Sequence, residues 1–318
     1  MNERQAMQAV ASLTALSKYS LDSYAHLNTL YPGAFDFNQK GLLMISATRD
    51  GLESAVQEMD LVARHGVPGS RLSEAEVKAM EPAIKAKLIG GVYFPKEAHV
   101  EPFQVVQTLQ KAAVAGGVQI ISGAEVFDFE VQDRLIKRVK TTRGDLRPEQ
   151  VVLATGTWST AIAERLDLRV PVLGGKGYSI ITHPYEGGPR HPLMIVERKI
   201  AVTPHSKSLR LAGTLELVND SDYSISPRRL DNIVRGSREY LNMPAIPEMI
   251  EIWRGLRPCT PDGVPVIGRP LRYKNLVIAA GHQMLGLQSS LGTGRLVSDI
   301  LQGATPTFNP YPFRADRF

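Results

Sequence analysis

Trp253-Arg-Gly-Leu-Arg-Pro-Cys-Thr-Pro-Asp-Gly-Val-Pro-Val-Ile-Gly268 is followed by Ile278-Ala-Ala-Gly-His282 and then by Gly292-Thr-Gly-Arg295. The first segment sets one arginine, Arg257, in a turn disciplined by glycine and proline. The second reads as a strand running into a glycine–histidine loop, and the third as a Gly-x-Gly that opens the last helix. This order suits a closed pocket. Backbone groups approach a flat cofactor there, and a single cation holds an anionic substrate.

Working outward, Leu276-Val-Ile-Ala-Ala280 and Gln150-Val-Val-Leu-Ala-Thr155 are short apolar runs of the kind buried on both faces of a parallel sheet. Gly156 ends the second run, and Thr157-Trp-Ser159 starts a helix. Ahead of it, Pro102 opens a helix closed by Gly116-Gly117, Val118-Gln-Ile-Ile121 reads as the next strand, and two alternating strands cover 124–131 and 135–141. Between Val170 and Trp253 the character changes. Strands near 172–182, 193–203 and 208–216 predict an antiparallel sheet, with one helix over 227–241. Toward the N-terminus, helical spacing covers 4–30 and Gly41–Ser46 reads as a buried strand. Asp50 caps a helix closed by Gly66, and Ser73-Glu-Ala-Glu76 has a capping-box pattern. Gly91–Phe94 is a further strand, and the final helix is placed at 289–301.

The chain has 318 residues, 43% hydrophobic and 22% charged, with a net charge of +5 and no block of like charge. That describes a soluble globular protein with room for two domains. A nucleic-acid binder would carry a basic stripe with interleaved aromatics, and none is present. The single cysteine, Cys259, forms no internal disulfide and reads as a small buried filler. No apolar run approaches the roughly 18 residues needed to span a bilayer, and the N-terminus lacks a signal-peptide pattern. A cytoplasmic protein is expected, with peripheral contact to the inner membrane face left open. The histidines show no metal spacing, so no metal is expected.

Taken alone, several motifs have two readings. Val151–Gly156 is either an ordinary strand-to-helix turn or the carboxyl end of a strand where α/β sheets place ligands. Gly174-Gly-Lys-Gly-Tyr178 lacks the spacing of a phosphate loop and precedes a strand, which excludes a nucleoside triphosphate site. Tyr178 either lines a pocket or packs. Arg257 either makes a structural ion pair or binds an anion, since charged residues are rarely buried unpaired. His282 reads as a loop hydrogen-bonder, and Gly292-Thr-Gly294 as a helix start able to face negative charge.

In this order, the segments resemble the FAD-dependent amino-acid oxidoreductases of the D-amino-acid oxidase and dehydrogenase superfamily. Met194–Pro204, Leu209–Leu217, Tyr93-Phe-Pro with His99-Val-Glu-Pro102, and the Pro-Phe and Arg-Phe pairs of 312–318 resemble its bacterial D-amino-acid dehydrogenase small-subunit group. The resemblance implies a mixed α/β fold: an incomplete Rossmann-like FAD domain interrupted by an antiparallel substrate domain. The implied segments are substrate elements and helical lead-in at 1–100, FAD domain at 101–170, substrate domain at 171–256, and FAD domain again at 257–318. It further implies FAD against Val126, Thr155, Gly156, Trp158, Gly281, His282, Gln283, Leu285, Gly286, Leu287, Gln288 and Thr293. Substrate contacts are implied at Arg257, Tyr178 and Met284, with Arg257 gripping a carboxylate through its planar fork. Glycine oxidases carry a second arginine where this chain has Met284, which favours the dehydrogenase type. The reaction implied is oxidation of a D-amino acid to a 2-oxo acid and ammonia, with a quinone, partner protein or oxygen as electron acceptor. A glycine, sarcosine or D-proline type of substrate is the second reading. The third is a cofactor-free subunit of a split complex.

The family begins with a strand, a Gly-x-Gly-x-x-Gly turn, a helix and a second strand, about 30 residues in all. No such fingerprint occurs in these 318 residues. A start codon assigned too late, a truncated gene or a second chain supplying the nucleotide-binding half would each account for that. Weak FAD binding by the chain alone is the expectation.

Overall fold

The computed structural model describes residues 3–219, 222–243 and 248–318. The chain opens with α1 (Glu3–Leu30), β1 (Leu42–Ser46), α2 (Arg49–Ala63), β2 (Ser70–Leu72), α3 (Glu74–Met80), β3 (Gly90–Phe94) and α4 (Pro102–Ala115). A hairpin, β4 (Val126–Gln132) and β5 (Leu135–Thr141), leads to β6 (Val151–Leu153), a 3₁₀ turn at 156–158 and α5 (Ser159–Glu164). The middle holds β7 (Leu173–Thr182), β8 (Leu193–Ile195), β9 (Ile200–Pro204), β10 (Leu209–Val218) and α6 (Pro227–Tyr240). The chain closes with β11 (Met249–Cys259), β12 (Val266–Gly268), β13 (Leu276–Ala280), a 3₁₀ turn at 283–285 and α7 (Gly286–Gln302).

Eight strands form one sheet in the order β11-β7-β10-β9-β8-β1-β3-β2, antiparallel except where β1 meets β8. A second sheet, β12-β13-β6, pairs β13 with β6 in parallel, as the two apolar runs predict. On one face of the large sheet Tyr178, Ile180, Leu209 and Leu211 pack with Ile233 of α6. A second cluster joins Leu153, Leu276 and Ile278 to Ile136 of the hairpin. The third lies between α1 and α7, around Leu16, Leu296 and Phe313. Each buried aliphatic side chain contributes about 1.5–3 kcal/mol over its exposed state.

The structure corrects several expectations from the sequence. Residues 118–121 form no strand, and Val118, Ile120 and Ile121 are exposed. β-branched residues favour a strand only where a neighbouring strand completes the ladder, and no described strand lies beside these. The cap of α2 is Thr48, whose Oγ1 accepts from Gly51 N at 3.1 Å, so Asp50 sits in the first turn and the helix ends at Ala63. The capping box at Ser73 forms as expected, with Ser73 N donating to Glu76 Oε2 at 2.7 Å. Residues 193–203 divide into β8 and β9, paired across a tight turn in which Lys199 has φ +51°. Arg257 lies within the 11-residue strand β11 rather than in a turn, which comes later around Gly263. α7 starts at Gly286, so Gly292-Thr-Gly294 is helix interior and offers no free N–H groups. Gly292 is instead where α1 crosses: a Cβ there would stand 2.5 Å from the Leu16 carbonyl oxygen.

Candidate active site

Side chains alternate across a strand, so register assigns faces. On β7, Tyr178 and Ile180 enter the core, leaving Gly175, Gly177, Ser179 and Ile181 on the opposite face. Their partners on β11 are Arg257, Gly255, Trp253 and Glu251. On β10, Ser179 and Ile181 face Ala212 and Arg210. The result is a floor of small residues edged by large polar ones. Tyr178, expected to line the pocket, stands on the other face. It is 1% exposed and its hydroxyl bonds Glu216 Oε2 at 2.9 Å, so it is a packing residue.

Arg257 folds back along this floor. A Cβ on Gly177 would run into its guanidinium, which is the reason a glycine occupies that position. Arg257 Nη1 donates to the Thr214 carbonyl at 3.0 Å, and Arg257 has no carboxylate partner among the described residues. That carbonyl is presented by a bulge between Gly213 and Glu216, where Thr214 takes φ +67°, costly for a β-branched residue. The bulge also reverses the alternation: Leu215 and Leu217 leave the core face, and Leu215 lies against Gly175. Burial lowers the Arg257 pKa; nearby Cys259 opposes that and the charge of Arg210 reinforces it. Burial pushes the Cys259 thiol up, which keeps it protonated and inert.

Two turns close on β11 from the second sheet, at 156–158 and at 283–285. The first follows β6. Gly156 has φ +59°, Thr155 Oγ1 bonds Ser159 Oγ at 3.1 Å, and Trp158 is 55% exposed. The second follows β13. Gly281 has φ +78° and is buried against Thr260, and His282 bridges Cys259. His282 Nε2 bonds Thr293 Oγ1 at 3.1 Å, and burial lowers its pKa to about 4, so the ring is neutral at pH 7. Gln283 Nε2 donates to the Thr260 carbonyl at 3.4 Å, Leu285 N donates to His282 O at 2.9 Å, and Met284 stands out at 64% exposure. Gly286 begins α7 without a side-chain cap, so the first N–H groups of that helix are free. Gln288 is exposed, whereas Leu287 packs toward Tyr24 and Phe35, and Val126 packs against the second core cluster. Thus Arg257, residues 155–158 and residues 281–286 converge, while Tyr178, Leu287 and Val126 serve packing. The sequence reading overlooked Thr214, Leu215 and Trp253. The one signal was the run Leu209, Leu211, Gly213, Leu215, Leu217, too long an alternation for a strand with a single buried face.

The family model for FAD-dependent oxidoreductases of the DAO type matches residues 3–300. The chain belongs to this family. A D-amino acid dehydrogenase of Vibrio atlanticus is 30% identical over 309 residues, 95% of this chain and 73% of the relative. One of Cereibacter sphaeroides is 30% identical, over 96% of this chain and 71% of its own length. Glycine oxidase from Geobacillus kaustophilus shares the fold with a TM-score of 0.90 at 24% identity, covering 96% of this chain and 84% of that one. L-Proline dehydrogenase from P. horikoshii superposes with a TM-score of 0.85 at 21% identity, over 95% and 82%.

As a DAO-family member the chain is an FAD-dependent oxidoreductase. Its described residues fit the flavin ring system. Trp158 and Met284 expose apolar surface, Gly156 and Gly281 carry the backbone through positive φ, and uncapped α7 N–H groups point outward from Gly286. Free helix N–H groups and the associated dipole stabilise negative charge on such a ring. No helix among the described residues is long and apolar enough to cross a membrane.

Proposed function

We propose that this family member oxidises D-amino acids to 2-oxo acids and ammonia. The observation that carries the reading is the Arg257 guanidinium, laid over Gly177 with unfilled donors beside the turns at 156–158 and 283–285. Such a fork takes a carboxylate bidentately, and an amino acid is the simplest substrate that combines a carboxylate with an oxidisable Cα–H. The relatives named D-amino acid dehydrogenase support it.

Bound FAD supplies the two-electron acceptor. The chain's own residues then align the substrate. Arg257 fixes the carboxylate, Gly177 and Gly255 leave room for it, and Trp253, folded over Gly255, screens the floor from water. His282 is neutral, so it places no positive charge against an amine that must be uncharged to release a hydride. Loss of hydride and a proton leaves an imino acid, and water hydrolyses this to the 2-oxo acid and ammonia. Catalysis is by alignment; no base is assigned. In this reading Thr155, Gly156, Trp158 and residues 281–286 face the flavin, with 101–170 and 257–318 forming the flavin-facing part.

The test is Arg257→Ala with FAD supplied and an artificial electron acceptor. Substrate KM should rise at least about 100-fold, as for loss of a charge-assisted bidentate contact, with flavin affinity unchanged. Arg257→Lys should recover only part of the loss. Unaltered kinetics in Arg257→Ala would overturn the assignment.

A further inference from the structure

Arg257 is not the only cation on the substrate face. Arg210 of β10 stands opposite Ile181 of β7, on the same face as Gly177, Ser179 and Ala212. It is half-buried and makes no hydrogen bond or ion pair among the described residues. Ile181 lies four positions along β7 from Gly177, which is beneath the Arg257 guanidinium, a separation of about 13 Å at the rise of a strand. Arg210 is close enough for its charge to be felt at Arg257. Two carboxylates lie near enough to influence Arg210, and neither pairs with it. Glu101 is occupied as the cap of α4, accepting from Gln104 N at 2.8 Å. Glu251 is exposed, where water and salt screen it.

A half-buried guanidinium that two carboxylates influence only from a distance, with no direct ion pair or hydrogen bond, keeps its donors open to an anion. Between the two arginines the floor consists of Gly177, Ser179 and Ala212, none of which carries a side chain larger than a hydroxymethyl group. We infer that Arg210 binds a second carboxylate, so that the preferred substrates are D-amino acids with an acidic side chain, of the D-glutamate and D-aspartate class. The inference rests on the proposal that Arg257 holds the α-carboxylate. Arg210 is a specificity residue in this scheme: it receives the side-chain carboxylate at one end of the floor while Arg257 fixes the other. A cationic D-amino acid is repelled by the same pair.

The experiment compares D-glutamate with D-glutamine, its uncharged isostere, on the full chain with FAD supplied. The wild-type protein should favour D-glutamate in kcat/KM by at least about tenfold, and Arg210→Gln should bring that ratio down to about one, mainly through KM. Equal use of the two substrates, or a ratio unmoved by Arg210→Gln, overturns the inference while leaving D-amino-acid oxidation intact. Oxidation of no D-amino acid by protein whose absorbance shows bound flavin overturns the reading it rests on. The second anion site is then judged by binding alone, with glutarate and butyrate titrated against the intrinsic tryptophan fluorescence. Glutarate binding at least about tenfold tighter than butyrate, lost in Arg210→Gln, upholds it. Equal affinity, or no binding of either, overturns it.

Discussion

At Gly177 a single missing Cβ decides where a charge lies. The guanidinium of Arg257 occupies the space an alanine side chain would need, and the guanidinium is the flexible end of its residue. Gly177→Ala should therefore push Arg257 off the floor without disturbing the sheet. Substrate KM should rise about tenfold or more, while stability stays level or gains about 0.5 kcal/mol from the strand preference of alanine over glycine. Steady-state kinetics and a melting curve check both, and an unchanged KM would show that Arg257 works from another position. The histidines make a second prediction at this scale. Burial holds His282 near a pKa of about 4, and burial first, then the nearby charge of His205, lowers His99 to about 4 as well. Unfolded, each titrates near 6.5, so between pH 6.5 and 4 the unfolded chain binds more protons and stability falls as pH drops. His282→Gln and His99→Gln should each flatten the fall of Tm across that window. A slope identical to wild type would show that neither ring is kept neutral by the fold. The identity of Arg257 was legible from its neighbours in sequence. Its placement was not, because that depends on a bulge at Thr214, some 43 residues away, where the local pattern alone predicts an unbroken strand.

The crossing of α1 and α7 tests what a helical glycine is for. Gly292 and Gly294 stand two residues apart in the same helix, yet a Cβ on Gly292 meets the Leu16 backbone at 2.5 Å and one on Gly294 meets nothing. Backbone gives way less readily than a side chain, so Gly292→Ala should cost about 1–3 kcal/mol. Gly294→Ala should gain about 0.5–1 kcal/mol from helix propensity alone. Denaturant unfolding of the two variants distinguishes them, and destabilisation by both would point to a shared cause instead of the crossing. Elements whose burial follows a simple period were legible: β6 and β13 as apolar parallel strands, α1, α3 with its capping box, and α6. The errors share one physical origin. Gly292 looked like a helix boundary because glycine usually marks one, whereas here close packing against α1 sets it. Residues 118–121 looked like a strand because β propensity says nothing about whether a neighbour is present.

At the scale of the whole molecule the second sheet is the point of weakness. It has three strands, its outer strand β6 exposes Val152, and Val118, Ile120 and Ile121 expose further apolar surface. In the proposed reading the residues that face the flavin ring lie in this chain. A Gly-x-Gly-x-x-Gly turn to hold the pyrophosphate does not occur in the 318 residues, and the matched relatives extend beyond the portion aligned with it. Ring contacts without a pyrophosphate cradle give up the helix N-terminus and backbone N–H groups that supply much of dinucleotide affinity. We therefore expect these 318 residues, purified alone, to carry substoichiometric flavin and to gain little Tm from added FAD. A ligand at ten times its Kd stabilises by about 1.4 kcal/mol, and one well below its Kd by almost nothing. Supplying a strand–Gly-x-Gly-x-x-Gly–helix–strand segment, ahead of residue 1 or as a separate chain, should bring flavin to one per chain and raise Tm with the logarithm of FAD concentration. Absorbance near the flavin bands and thermal melts with and without FAD read both effects. A stoichiometric yellow preparation of the 318 residues alone would show instead that the turns at 156–158 and 283–285, with the start of α7, hold the cofactor unaided.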